Sequence, residues 1–345
     1  LSDGAARMGQ TDDQEGGLSM ATKNLLVELF VEELPPKALK KLGEAFAEAI
    51  FNSLEKAQLV LSAEITGTKV FASPRRLAVL IPKVLSKAGD RPVSQKLMPV
   101  AVGLDAKGQP SPALLKKLGS LGADASVVSQ LKRAMDGKAE ALFYDSVVKG
   151  ATLAQGLQMA IDEALAKLPI PKVMTYQLAN GWDSVQFVRP AHGLVALHGT
   201  DLVPISVLGL SAGRETRGHR FEASVTKIVL KDADSYEAQM ENEGAVIAGF
   251  AARRAEIAHQ LAAAAAKENL KPIEDEALLD EVTALVERPN VLVGKFEAEF
   301  LEVPQECLIL TMKANQKYFP LLDANGKLTN KFLIVSNIRP ADASL

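Results

Sequence analysis

Residues 24–32, NLLVELFVE, read as a buried strand: a short apolar run of strand length, closed by turn residues. Pro35 and Pro36 follow and suit a helix start, because a proline in the first turn sacrifices no intrahelical hydrogen bond. Leu39, Leu42, Phe46, Ile50 and Leu54 then recur at steps of three and four, one apolar stripe on a helix. A strand feeding an amphipathic helix sets the class as α+β. Strands around Glu64–Phe71 and Leu77–Val84, joined through Ser73-Pro74-Arg75-Arg76, complete a small N-terminal α/β unit.

Outward from that unit, residues 86–150 are less regular. Pro92, Pro99, Pro110 and Pro112, with Gly103 and Gly108, mark loops around a short helix (Pro112–Leu121) and a strand (Ala141–Val148). The first domain with this insert is placed at 20–150, and a second, mixed-sheet domain with packed helices at 151–345. The second opens with a helix over Leu153–Leu168 that stops at Pro169-Ile170-Pro171. Strands follow at Val185–Val188, Leu194–Leu197, Leu202–Leu210 and Val225–Leu230, with a tight turn at Gly199-Thr200-Asp201. Helices are expected at Ala233–Glu243, Val246–Asn269 and Ala277–Glu287. In the middle one Val246, Ile247, Phe250, Ile257 and Leu261 share the buried face, with Arg253, Arg254 and Glu256 off it. A strand (Val291–Phe296), a helix (Pro304–Ala314) and a hairpin of Tyr318–Leu322 with Phe332–Ser336 close the pattern. The hairpin turns at Asp323-Ala324-Asn325-Gly326.

With 345 residues, 48% hydrophobic and 23% charged, the chain can bury a sizeable core and form two or more domains. A mean hydropathy of +0.07 and the lack of a long uncharged apolar run argue against a membrane span. Residues 1–19 are rich in Gly, Asp and Gln and lack the basic start and apolar stretch of a secretory signal. They are expected to be an appended remnant or a disordered leader, with Met20 as the native start. One cysteine, Cys307, excludes an internal disulfide and a Cys-rich zinc site, and fits the reducing cytosol. Beside Leu308 on an apolar helix, it is expected to be an inert core thiol. The net charge of −3 confines any RNA contact to a local basic surface. Neither a membrane nor DNA is an expected partner.

Familiar catalytic patterns are absent from the sequence. It has no Walker-type phosphate loop, no glycine-rich dinucleotide turn and no His-Glu-x-x-His pair, and its four histidines (His192, His198, His219, His259) are scattered. No catalytic residue, metal ligand or cofactor is assigned to this chain.

Four segments carry cations in settings that packing leaves unexplained. In Ser73-Pro74-Arg75-Arg76 the paired guanidiniums can present forked donors to phosphate, or close a turn with local ion pairs. In Val188-Arg189-Pro190-Ala191-His192 the proline ends a strand and projects Arg189 and His192 from a sheet edge; both also suit structural roles. Residues 214–221, RETRGHRF, set Arg214, Arg217, His219 and Arg220 around Gly218, either as a phosphate-binding spot or as an internal ion-pair network. In TMKANQKYFP (311–320), Lys313 and Lys317 precede Tyr318 and Phe319, a pattern suited to RNA or to a hairpin core with solvated lysines.

Six strings, in order, carry a resemblance: VELFVEELPPKAL (27–39), FASPRRLAV (71–79), KLPIPK (167–172), FVRPAHGLVALHG (187–199), TRGHRF (216–221) and the stretch from ERPNVLVGKF to LLDANGKL (287–328). Together they resemble the β subunit of bacterial glycyl-tRNA synthetase, over about Leu25 to Ile338. Val173–Gln177 lacks an Arg-Trp pair usual there, and Arg288 stands where tryptophan is usual. The resemblance implies an α2β2 enzyme whose α subunit activates glycine with ATP and Mg2+, while the β subunit supports assembly and tRNA(Gly) binding. It implies a second half similar to the tRNA-editing-type domain of the phenylalanyl-tRNA synthetase β subunit. Editing hydrolysis, or a scaffold without RNA contact, are the alternatives; editing is disfavoured because size exclusion already protects glycine. The family's HD-type and anticodon-binding domains do not follow in this sequence, so a truncated, inactive fragment is expected.

Overall fold

The computed structural model describes residues 21–137, 139–170 and 172–340. The expected leader at 1–19 lies outside them. Strand β1 (Thr22–Val31) forms where the sequence places it and is buried from Leu25 onward. Helix α1 (Leu39–Lys56) follows, with Pro35-Pro36 in the turn just before it. Strands β2 (Lys69–Ser73) and β3 (Arg76–Leu85) form a hairpin about Pro74-Arg75, while the first part of the expected Glu64–Phe71 strand is a 3-10 turn at Ser62–Gly67.

The chain next makes an insert. Strand β4 (Arg91–Pro99), helix α2 (Pro112–Gly119), strand β5 (Lys132–Asp136) and strand β6 (Ala139–Val148) build a separate sheet in the order β4-β6-β5. Its small core is Leu114, Leu118 and Leu142. Helix α3 (Leu153–Lys167) begins with a capping box, Thr152 and Gln155 each satisfying the other's backbone N–H. A projecting hairpin, β7 (Met174–Gln177) and β8 (Ser184–Phe187), leads to β9 (Ala191–His198) and β10 (Asp201–Leu202).

Strand β9 moves the expected domain boundary. It is a hydrogen-bonded neighbour of β1, pairing Leu25 with His198 and Leu29 with Leu194, in an antiparallel sheet ordered β10-β9-β1-β3-β2. A division at 150/151 would therefore cut through a single sheet, and residues 91–148 are an excursion from it. β1 is central in the sheet and is packed on both faces, which makes it read as a continuous apolar run. Leu25, Val27, Leu29 and Val31 meet α1 and α3 through Phe46, Ile50, Leu157 and Ile161. Leu26 on the other face packs with Phe71, Leu197, Ile228, Tyr236 and Met240. Each such fully buried side chain contributes about 1.5–3 kcal/mol.

The expected strands at Leu202–Leu210 and Val225–Leu230 shrink to short ladders, 206–207 with 210–211 and 215–216 with 228–229. Positive φ at Leu208 (52°) and Gly209 (75°) turns the chain back inside the first of them. Helices α4 (Tyr236–Asn242), α5 (Phe250–Lys267) and α6 (Glu276–Thr283) follow. Arg253 corrects the expected polar face of α5: it is fully buried with Phe250, Ile257, Leu261 and Ala265. Its guanidinium donates to the carbonyls of Ile247 (2.7 Å), Thr283 (2.9 Å) and Ala72 (2.7 Å), tying α5 to α6 and to the central sheet. Burial pushes it down to about 9, so it stays a cation at neutral pH.

A four-stranded sheet follows, ordered 271–272, β12 (Phe319–Leu322), β13 (Leu328–Ser336) and β11 (Asn290–Lys295), with α7 (Gln305–Thr311) between β11 and β12 in sequence. Cys307 on α7 is exposed, not the core thiol expected, because α7 turns Leu308 and Met312 inward instead. Among the described residues no helix is long and apolar enough to cross a membrane.

Candidate functional site

Beyond the end of β1, the β2–β3 turn, the start of β9 and the 214–226 loop enclose a cleft of about 710 Å³. Its walls include Phe30, Glu32, Arg75, His192, Arg217 and Arg220. Three of the four cationic segments thus converge, the first of them more than a hundred residues before the other two.

The floor is a buried ion-pair network. Arg75 grips Glu287 with two parallel bonds, Nε to Oε1 at 3.0 Å and Nη2 to Oε2 at 2.8 Å. Arg76, fully buried, lies 3.4 Å from Oε2 of Glu28 and 3.8 Å from Oε1 of Glu287, and its Nε donates to Ser73 Oγ at 2.9 Å. Glu28 also accepts from the hydroxyls of Thr216 and Tyr236. Burial pulls the Arg76 guanidinium down, but Glu28, Tyr236 and Glu287 outweigh it, and the net direction is up. Burial, then the Glu28 carboxylate, raises the Tyr236 phenol well above its ordinary range, so it remains a donor. Both guanidiniums also sit 5.4 Å from the centre of the Phe30 ring.

These arginines act on the loop above rather than on solvent. Arg76 Nη2 donates to the Arg217 carbonyl and Arg75 Nη2 to the Gly218 carbonyl, both at 2.9 Å. Gly218 presses against Gly244; a Cβ on Gly218 would stand 2.4 Å from Gly244 Cα. His219 completes the lock: its Nε2 donates to the Asn337 carbonyl at 2.7 Å, and its Nδ1 accepts from the N–H groups of Phe221 and Glu222 at 3.1 Å. That pattern requires the neutral ring. Arg76 and His219, buried with their donors committed, are therefore corrected from surface contacts to supports of the loop. Arg75 reaches the cleft wall but spends its fork on Glu287.

Arg217 and Arg220 remain exposed at the cleft mouth. Among the described residues the Arg217 guanidinium has no ion-pair partner, and Arg220 approaches only Glu32, at 3.9 Å. Glu32 also accepts from Nε2 of His192 at 2.8 Å. The other expected residues lie elsewhere. Arg189 donates to the carbonyls of Glu33 (2.8 Å) and Val188 (3.0 Å), and Arg214 to that of Thr200 (2.8 Å). Lys313 pairs with Asp275, and Lys317 with Glu281 at 3.0 Å, across α6. Tyr318 stacks on Phe332, centroids 4.6 Å apart, in an apolar groove of about 230 Å³. Among the described residues no group of three or more His, Cys, Asp or Glu is placed to hold a metal ion.

A family profile described as "Glycyl-tRNA synthetase beta subunit" matches residues 25–345. The chain belongs to the glycyl-tRNA synthetase β-subunit family. It is 73% identical over 325 residues to the glycine–tRNA ligase β subunit of Leptothrix cholodnii, covering 94% of this chain and 45% of that protein. It is 69% identical to the β subunit of Dechloromonas aromatica over 336 residues, 94% of this chain and 47% of the relative. That of Thiobacillus denitrificans is 71% identical over 325 residues, 94% of this chain and 46% of the relative. The chain spans about half the length of the curated relatives it matches. For this β-subunit family member, sequence reasoning missed Glu28 and Glu287, on which the site rests. Glu28 carries a signal: a carboxylate inside a strand already read as buried demands a buried partner.

Proposed function

We propose that this chain is the N-terminal region of a glycine–tRNA ligase β subunit that supports tRNA(Gly) without performing the activation chemistry. The reaction served is glycine, tRNA(Gly) and ATP giving glycyl-tRNA(Gly), AMP and diphosphate. In this reading ATP and Mg2+ belong to the α subunit of a cytosolic α2β2 enzyme, and this region offers that assembly a phosphate-binding surface. The observation that carries the reading is the pair Arg217 and Arg220, exposed on a loop whose backbone is fixed by buried Arg75, Arg76 and His219. Prepositioned guanidiniums bind phosphate with little ordering cost, and such contacts orient an RNA without reading its bases.

The test is tRNA(Gly) binding by the assembled enzyme across a salt series. Replacing Arg217 and Arg220 with alanine removes two phosphate contacts, and the slope of log affinity against log salt falls by about 1.4–1.8. An unchanged affinity and slope in a folded double variant overturns the reading. Glycine-dependent ATP–diphosphate exchange by this chain alone would overturn its non-activating part.

A further inference from the structure

The groove beside Tyr318 takes no part in the cleft. It is walled by Phe296, Phe300, Leu308, Met312, Tyr318 and Phe332, and its surface is apolar throughout. Three of these rings form a parallel pile. Phe332 lies 4.6 Å from Tyr318 and 6.3 Å from Phe296, centroid to centroid, at interplanar angles of 13° and 20°. Gly294 makes room for the pile, because a Cβ there would collide with the Phe332 ring. Leu308 and Met312 supply an aliphatic wall, four residues apart where α7 passes into a π-helical turn (Met312–Gln316). The elements around the groove are tied to the first half of β13. There the Phe296 N–H donates to the Asn330 carbonyl at 3.0 Å, and the Leu328 N–H to Gln305 Oε1 at 3.1 Å. Asn337 and the cleft loop lie past the other end of this strand, which runs roughly 25 Å.

The rim of the groove is acidic. Residues 296–310, FEAEFLEVPQECLIL, hold Glu297, Glu299, Glu302 and Glu306 and no Lys or Arg. Among the described residues none of these four carboxylates meets a cation, since Lys313, Lys317 and Lys331 answer Asp275, Glu281 and Glu268 instead. Phe300, Leu301, Val303 and Leu310 stand exposed among them. Apolar surface rimmed by charge is the mark of a contact surface.

We propose that this groove docks the α subunit, through a protein segment whose apolar side chain enters the groove between flanking Lys or Arg residues. The inference rests on the reading of this chain as a β subunit with an α partner, and names the surface that partner takes. Uncompensated carboxylates repel phosphate and attract a basic protein, so RNA is not the occupant. A second copy of this chain, with its own net charge of −3, fits less well. At about 230 Å³ the groove is smaller than small-molecule pockets of roughly 300–1,000 Å³, and it suits one anchoring side chain.

The test follows the Cys307 thiol, exposed on α7 one residue before Leu308 of the groove wall. Maleimide labelling of the full β subunit is timed alone, with excess α subunit and with tRNA(Gly), and read at the Cys307 peptide by mass spectrometry. The α subunit suppresses the labelling and tRNA(Gly) leaves it unchanged. Phe300→Ala weakens α–β association about 5- to 30-fold. Glu299→Lys with Glu302→Lys weakens it at least about tenfold at low salt, and abolishes the weakening that added salt causes in the wild type. Unchanged labelling with the α subunit bound, protection by tRNA(Gly) instead, or a thiol already shielded in the free β subunit each overturn the proposal. So does wild-type association in both variants. If the two subunits do not associate at all, the reading of an assembled α–β enzyme falls with it.

Discussion

Arg76 shows what a single residue does here. Its guanidinium balances Glu28, lies near Glu287 and holds the Arg217 carbonyl, all without solvent. Arg76→Ala leaves two buried carboxylates short of charge, and breaking a buried pair from one side costs about 3–5 kcal/mol. Urea denaturation of wild type and variant measures it, and a loss under about 1 kcal/mol would mean the network is not what holds the site. The pair Arg75-Arg76 was legible as a cationic turn, but its role was not. Its partners lie 141 residues away at Arg217 and 212 residues away at Glu287, and no local pattern encodes such distances. Arg217 and Arg220 were legible as cations, yet their exposure follows only from the burial of their neighbours. The lysines of 311–320 looked equally suited to phosphate and instead answer nearby carboxylates.

Elements repeat the lesson with α6. Asp275 caps it, its side chain accepting from the Leu278 N–H at 2.9 Å, and Lys313 from beyond α7 pairs with the same carboxylate. The Lys313 bond first, then the Leu278 N–H, holds the Asp275 carboxyl below its ordinary range. A depressed carboxyl stabilises the fold above its unfolded-state value and loses that contribution as pH falls through the folded value. Asp275→Asn keeps a capping oxygen and removes the charge, so it should cost about 0.5–1 kcal/mol at pH 7. Once pH falls below the depressed folded-state value, wild type and variant should converge. Denaturant midpoints measured from pH 7 downward check it, and equal midpoints at pH 7 would locate the stabilisation in the cap oxygen alone. The apolar run of β1 and the apolar stripes of α1 and α3 were legible because burial imposes them. Strands β4 and β5 were not: β5, KRAMD, is exposed throughout, so neither face repeats. Arg253 deceived for the opposite reason, since a cation on a core face looks polar until its carbonyl acceptors are known.

At the scale of the whole molecule, the sequence displays an order of elements that the fold does not respect. Residues 91–148 leave and rejoin the central body through one narrow neck. There Ala88 N–H donates to Ala151 O at 2.9 Å, Leu153 N–H to Ser86 O at 2.8 Å, and Gly150 N–H to the Asp90 carboxylate at 2.9 Å. The insert keeps its own core, whereas β1, β3, α1, α3 and β9 share one. Excising 91–148 and closing the neck with a short Gly-Ser link should therefore leave the body folded. Its stability should change by about 2 kcal/mol at most, because the cost of closing a loop depends only weakly on length. Far-UV circular dichroism follows the unfolding of the retained part against denaturant. Division at 150/151 has the opposite outcome. It strips β9 from β1 and leaves an apolar strand with an open edge, which pairs with other chains and aggregates. Aggregation of the excised form, or two soluble, cooperatively folding halves from the 150/151 division, would show that the central sheet is not the unit on which this chain folds.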